Sequence, residues 1–142
     1  RQTPQPALEK LQQAVRAMGA KPFILEPEAH DRFAALVSHL PYLVAVALVQ
    51  TLQSNGYSRA LLSNLIGNGF KDTTRIAMGE PGMWYDIFRT NKIFLEDALK
   101  NFQRELNLLR YNVEKENETV IIKMLEDAGI FRRSLDTWGK EG

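Results

Sequence analysis

The residue types best suited to chemistry lie in one stretch, residues 67–84, with the sequence GNGFKDTTRIAMGEPGMW. Asp72 stands where a helix N-cap is expected, and Arg75 follows three residues later, so both side chains would share one helix face. An arginine held by an aspartate can donate two parallel hydrogen bonds to a carboxylate. Trp84 would add a large rigid wall. The pattern indicates a carboxylate-binding site, beside the simpler alternative of a solvated Asp/Arg pair of small energetic value.

The rest of the sequence offers little catalytic chemistry. The two histidines, His30 and His39, lack the spacing and neighbours of a zinc or iron site, so we expect no metal. His39 lies on an otherwise apolar stripe, which is more typical of a packed histidine than of a catalyst. The glycines that flank Asn68 free the backbone to turn, but no dinucleotide-binding, P-loop or nucleophile-elbow motif is present. We therefore expect no nucleotide site within this chain alone.

Composition narrows the class of protein. The chain has 142 residues, of which 44% are hydrophobic, enough for one domain with a real core. The net charge of +1 argues against nucleic acid or an anionic membrane as partner. There is no cysteine, so disulfides are excluded and a reducing cytosol is compatible. The longest apolar run, residues 43–49, is far shorter than the ~20 residues of a membrane span. We expect a soluble protein.

Apolar positions recur every three to four residues through most of the chain, which predicts an almost entirely helical fold. The expected helices cover residues 7–18, 27–40, 41–54, 58–65, 72–78, 81–88, 91–116 and the region from 119 onward. The expected boundary signals are Gly19, Pro41, Ser58, Asp72 and Thr119, and we also expect an interruption at Gly129 and a loose tail after Trp138. One short edge strand is expected over residues 21–25, where Pro22 cannot donate to a ladder.

The segment over residues 41–54 is apolar on nearly all sides. A helix of that kind is normally buried, either in the centre of a domain or at a subunit interface. Because a chain of this length offers too little interior for it, we expect a homodimer whose interface uses this segment and the long helix over residues 91–116.

Two blocks of sequence resemble the prephenate/arogenate dehydrogenase family of tyrosine biosynthesis, in its C-terminal helical domain. The first is GFKDTTRIA over residues 69–77, followed by Pro81, MW at 83–84 and DIF at 86–88. The second is HD at 30–31 followed by SHLP at 38–41, similar to the family's H-D-x(6)-S-H-L-P segment. The resemblance covers roughly residues 3–113 and is most specific in these two blocks.

The resemblance implies an architecture. Residues 27–142 would be an all-α dimerisation and substrate-binding domain of the 6-phosphogluconate-dehydrogenase-like type. Residues 1–26 would be the last helix and strand of an upstream Rossmann domain, so the chain would be part of a longer protein. That upstream domain would bind NAD or NADP and carry the catalytic base, while this chain alone would bind neither nucleotide. A cytoplasmic homodimer acting on prephenate or arogenate is implied; the alternative is a non-catalytic helical interaction module.

The resemblance also implies roles for single residues. Arg75 matches the family arginine that grips a substrate carboxylate, Asp72 matches the aspartate near it, and Trp84 matches a tryptophan close to the substrate. Two positions depart from the family pattern: Tyr42 stands where a substrate-contacting histidine is frequent, and Asn68 replaces a common glycine. Tyr42 could donate a hydrogen bond without carrying charge, which leaves open whether prephenate or arogenate is preferred.

Overall fold

The computed structural model describes residues 3–137, and the regular structure of those residues is entirely helical. The α-helices are α1 (Gln5–Ala17), α2 (Pro27–Ala34), α3 (Leu40–Ser54), α4 (Arg59–Leu65), α5 (Asn68–Thr74), α6 (Pro81–Thr90), α7 (Lys92–Glu114) and α8 (Glu118–Thr137). A π-helical turn, Ala35–His39, joins α2 to α3, and a 3-10 turn, Arg75–Met78, follows α5. The all-α prediction is confirmed, whereas the tail after Trp138 lies outside the described residues.

The strand expected over residues 21–25 is not formed, and that prediction was wrong. The described chain contains no strand, so this segment has no partner for a hydrogen-bonded ladder. It runs without regular structure between α1 and α2, and the Phe23 side chain is 80% exposed. Gly19 ends α1 as expected, with the left-handed φ of 78° that glycine accepts without steric cost.

The break expected at Pro41 lies slightly earlier in the chain. Pro41 sits in the first turn of α3, where its missing N–H costs least. The preceding turn widens to the π form, and the Leu40 N–H donates to the Ala35 carbonyl oxygen, five residues back. A π turn is frequent next to a functional segment and changes the direction of the side chains that follow it.

The boundaries of α5 differ from the expectation. Gly67 is the N-cap, with φ −83° and ψ 176°, and Asp72 lies inside the helix, so its predicted capping role was wrong. The extended conformation of Gly67 starts the helix four residues before Asp72 is reached. Ser58 does cap its helix, with its side chain accepting from the Leu61 N–H at 3.3 Å. At the other end of the chain, α8 begins one residue before Thr119 and continues without interruption.

α3 is the central element of the fold. It packs against the π turn, the 3-10 turn, α5 and α7. The buried apolar side chains are few and mostly small, namely Ala35, Tyr42, Ala45, Leu95 and Ala98. Large apolar side chains remain exposed on α3, α7 and α8, including Leu48 at 39%, Leu106 at 52% and Leu125 at 62%. A single chain therefore leaves apolar surface of the kind that obligate subunit interfaces bury.

Within the described residues, one helical stretch meets the length and composition criterion for a membrane span, Pro27–Ser54, with a mean hydropathy of 1.8. The sequence-based expectation counted only the uninterrupted apolar run, whereas this criterion also admits a few polar residues among the apolar ones. A core or interface helix of a soluble protein has the same composition, so the criterion alone is weak evidence for a membrane.

Candidate substrate-binding site

An aromatic cluster, made of Tyr42, Trp84 and Phe88, joins α3 to α6. The Tyr42 and Trp84 rings are stacked, with centroids 3.7 Å apart and planes 19° apart. Phe88 lies one helical turn after Trp84, and its ring centroid is 6.0 Å from that of Tyr42 and 5.8 Å from that of Trp84. Such ring pairs contribute about 0.5–1.5 kcal/mol each beyond their buried area. The cluster forms a rigid wall.

The Tyr42 ring is buried, but its hydroxyl is not sealed off. Only 6% of Tyr42 is exposed. Among the described residues, no buried side-chain nitrogen or oxygen lacks a hydrogen-bond partner, and the Tyr42 hydroxyl forms no hydrogen bond there. The hydroxyl must therefore be reached by solvent. Tyr42 can pack through its ring and still offer one uncharged donor or acceptor to a ligand.

His39 stands at the edge of the aromatic cluster and is held by Asn91. The buried Asn91 amide nitrogen donates to the Asp31 carbonyl oxygen at 2.7 Å and lies 3.2 Å from His39 Nδ1. The imidazole meets the Trp84 ring edge to face, with centroids 6.5 Å apart. Burial lowers the pKa of His39, against the raising effect of the Asp31 charge, while His30 lowers it further. His39 is therefore neutral near pH 7, with Nδ1 accepting from Asn91 and Nε2 protonated.

Asp72 and Arg75 line one groove between α3, α5 and the 3-10 turn. The groove has a volume of about 490 Å³, with Val49, Phe70 and Met78 as its apolar walls. Both charged side chains are exposed. No ion pair joins them within the described residues, so the expected grip of Asp72 on Arg75 is absent, because α5 ends at Thr74 and Arg75 already belongs to the 3-10 turn. The guanidinium is left without a carboxylate in this part of the chain and can accept one from a ligand.

The turn that carries Arg75 leads directly to the aromatic cluster. Gly79 follows the turn, and its N–H donates to the Ile76 carbonyl oxygen at 3.1 Å. Glu80 then caps α6, with its carboxylate accepting from the N–H groups of Gly82 and Met83. Those two backbone hydrogen bonds lower the pKa of Glu80. The start of α6, and with it Trp84, is thus tied to the end of the Arg75 turn.

The structure brings together four of the five residues singled out from the sequence, as two pairs. Tyr42 and Trp84 are in direct contact, and Asp72 and Arg75 share a groove. Asn68 is exposed in the first turn of α5 and lines neither feature. Within the described residues, no group of acidic, histidine or cysteine side chains could hold a metal ion. The groove around Arg75 can anchor a carboxylate, and the turn that carries Arg75 leads on to the aromatic cluster. The titratable side chain at that cluster is His39, whose pKa is lowered by burial.

Sequence reasoning missed Asn91, Gly79 and Phe88. Asn91 lies at the junction of two helices, a position that signals a cap but not a bond to a residue sixty positions away. Gly79 precedes a Glu-Pro pair, which signals a helix end but not a close approach to a ring. Phe88 was quoted from the sequence only as part of the DIF block, although it follows Trp84 at the spacing that puts two residues on one helix face.

Comparison with known proteins gives one consistent result. The family profile described as "Prephenate dehydrogenase, dimerization domain" matches residues 26–127. Prephenate dehydrogenase of Bacillus subtilis is 31% identical over 133 residues, covering 94% of this chain and 36% of the relative. Cyclohexadienyl dehydrogenase of Zymomonas mobilis is 28% identical, covering 95% of this chain and 46% of the relative.

Solved structures agree. Prephenate dehydrogenase from Aquifex aeolicus, in complex with hydroxyphenyl propionate and NAD+, is similar with a TM-score of 0.84 and 34% identity, over 95% of this chain and 47% of that one. Synechocystis arogenate dehydrogenase is similar with a TM-score of 0.80 and 26% identity, over 94% of this chain and 49% of that one. The chain thus spans between about a third and a half of the length of these relatives.

Proposed function

We propose a function from the premise that this chain belongs to the prephenate dehydrogenase family, whose dimerisation domain it matches. The chain is the helical C-terminal part of an NAD- or NADP-dependent dehydrogenase that oxidatively decarboxylates prephenate or arogenate. The observation that carries this proposal is the Arg75 guanidinium, which has no carboxylate partner in the described residues and lines an open groove. The 3-10 turn that contains Arg75 leads along the chain to Trp84, which stacks on Tyr42.

In this proposal the chain binds and orients the substrate. Arg75 holds the substrate's side-chain carboxylate through two hydrogen bonds, and the aromatic wall limits where the ring can lie. A base in the upstream domain would take the proton of the ring hydroxyl, and bound NAD or NADP would supply the hydride acceptor for the carbon that carries this hydroxyl. The ring carboxylate would then leave as carbon dioxide, its bonding electrons would complete the aromatic ring, and the base would return the proton to the phenolate oxygen. Tyr42 offers an uncharged hydroxyl to either substrate, and Asp72 lines the same groove as Arg75. Asn68 belongs to the proposed binding set on the sequence resemblance alone.

The remaining parts of the proposal concern assembly. Residues 1–26 belong with the upstream nucleotide-binding domain, and residues 27–142 form the dimerisation and substrate-binding domain. Two copies associate in the cytoplasm through the exposed apolar side chains of α3 and α7. The chain alone binds neither NAD nor NADP, because no phosphate-cradling loop occurs in its sequence.

An assay of the full-length protein tests the function. The purified enzyme is mixed with prephenate or arogenate and with NAD or NADP, and formation of the reduced nucleotide is followed by absorbance. We expect turnover with at least one of the four combinations, and release of carbon dioxide in equal amount. Failure of all four combinations, with a folded protein that binds nucleotide, would refute the dehydrogenase assignment and leave a helical interaction module.

A further inference from the structure

We propose that Gly79 is a positioning residue that fixes Trp84 relative to Arg75, so that the carboxylate anchor and the aromatic wall keep one geometry. The inference rests on the proposed function for its effect on substrate, but its structural part does not. Gly79 touches no substrate in the proposed mechanism and acts only through the Trp84 ring and the turn that carries Arg75.

The first observation is steric. A Cβ atom added at Gly79 would collide with Nε1 of Trp84, and would lie 3.0 Å from Cδ1 of that ring and 3.2 Å from Cε2 of Tyr42. Real Cβ atoms almost never approach other heavy atoms so closely, and here the neighbours are rigid rings in mutual contact. By contrast, added Cβ atoms at Gly67 and Gly69 would meet nothing within 4 Å.

The second observation is that backbone conformation does not explain the glycine. Gly79 has φ −63° and ψ 160°, an extended conformation open to any residue. The requirement for glycine at this position therefore comes from the close approach of the indole to the backbone, not from a turn that only glycine can make. The indole can lie this close only while position 79 has no side chain.

The third observation is that the backbone at Gly79 is held in place on both sides. On one side its N–H is bonded to the Ile76 carbonyl oxygen of the Arg75 turn, and on the other side Glu80 caps α6. A methyl group at position 79 must therefore push the indole off the Tyr42 ring or shift the turn that carries Arg75. Either movement changes the distance between the anchor and the wall. Because both features hold substrate before and during reaction, the loss should appear mainly in KM.

The first test needs no activity. Full-length protein is labelled with 5-fluorotryptophan, and the fluorine resonance of Trp84 is identified by its loss in the Trp84→Phe variant. We expect Gly79→Ala to move that resonance, and Gly129→Ala to leave it in place, because Gly129 lies in α8 and an added Cβ there meets only the flexible end of Arg133. An unchanged Trp84 resonance in Gly79→Ala would overturn the inference, whether or not the protein proves to be a dehydrogenase.

The second test is a double-mutant cycle in the active full-length enzyme. Because the anchor and the wall hold substrate both before and during the reaction, their displacement removes binding that is common to both states; we therefore expect Gly79→Ala to raise KM about tenfold, with a smaller change in kcat. In the Trp84→Phe background, which removes the colliding indole edge, we expect the same change to raise KM less than about twofold. An equal effect of Gly79→Ala in both backgrounds would show that Gly79 does not act through Trp84 and would refute the proposal.

Discussion

Asn91 is the residue whose replacement tests the packing of the site most sharply. Its amide nitrogen bonds both the Asp31 carbonyl oxygen at 2.7 Å and His39 Nδ1 at 3.2 Å, and its side chain is buried. Asn91→Ala removes the donor from two acceptors that are themselves partly buried. At about 0.5–1.5 kcal/mol for each hydrogen bond, the free energy of unfolding should fall by about 1–3 kcal/mol.

Asn91→Asp tests the direction in which stability changes with pH. The variant keeps the shape of the side chain but places a carboxylate next to His39, which would raise the pKa of His39 above the value of about 6.5 in the unfolded chain. A raised folded-state pKa gives stability that is present below the unfolded pKa and lost as the pH rises through the folded pKa. In the unchanged protein burial lowers the pKa of His39, so stability is instead lost as the pH falls through that lowered pKa.

Urea unfolding at fixed protein concentration measures the stability loss in Asn91→Ala. Repeating it at about pH 6 and about pH 8, on either side of the usual histidine pKa, measures the pH dependence of stability in Asn91→Asp. Asn101→Ala is the matched control, since Asn101 is exposed on α7, the helix that begins directly after Asn91. We expect the control to change stability by less than about 0.5 kcal/mol. If Asn91→Ala cost no more than the control, or if Asn91→Asp and the unchanged protein shared the same pH slope, the reasoning about the Asn91–His39 contact would be wrong.

Three further predictions follow from other parts of the chain. Sedimentation should find a dimer at micromolar concentration; Leu48→Glu should weaken it and Gln53→Glu should not, and a stable monomer of the unchanged protein would contradict the interface. Calorimetric titration of this chain with NAD and NADP should give no binding, and micromolar affinity for either would contradict the division of labour between domains. Glu80→Gln should lower the melting temperature near neutral pH and flatten the decline of the melting temperature in acid. The reason is that the pKa of Glu80 is lowered in the folded protein, so stability is lost as the pH falls through that pKa. Equal acid sensitivity of the variant and the unchanged protein would contradict the N-cap role of Glu80.

Local sequence signals predicted the helices well where they act within a few residues. Ser58 caps α4 and Pro81 opens α6, because both effects depend on near neighbours in the chain. The strand over residues 21–25 failed for the opposite reason, since a strand depends on a partner that local sequence does not supply. Asp72 failed as a cap because Gly67 already supplies the extended residue at which α5 begins.

The site was predictable in its residue types but not in its contacts. The aromatic and charged positions could be named from motif resemblance, but the stacking of Tyr42 on Trp84 joins residues forty-two positions apart. The contact between Asn91 and His39 and the close approach at Gly79 are likewise products of tertiary packing. No periodicity or cap signal carries that information, because such signals describe neighbours along the chain.

The most direct test of the central claim is the kinetics of Arg75 variants in the full-length enzyme. Arg75→Ala should leave the melting temperature nearly unchanged, because Arg75 has no ion pair within the described residues. Loss of a charge-assisted bidentate contact should lower kcat/KM by the equivalent of about 2–4 kcal/mol, and Arg75→Lys should recover only part of it. Unchanged kcat/KM for both prephenate and arogenate in Arg75→Ala would contradict the assignment of Arg75 as the substrate anchor.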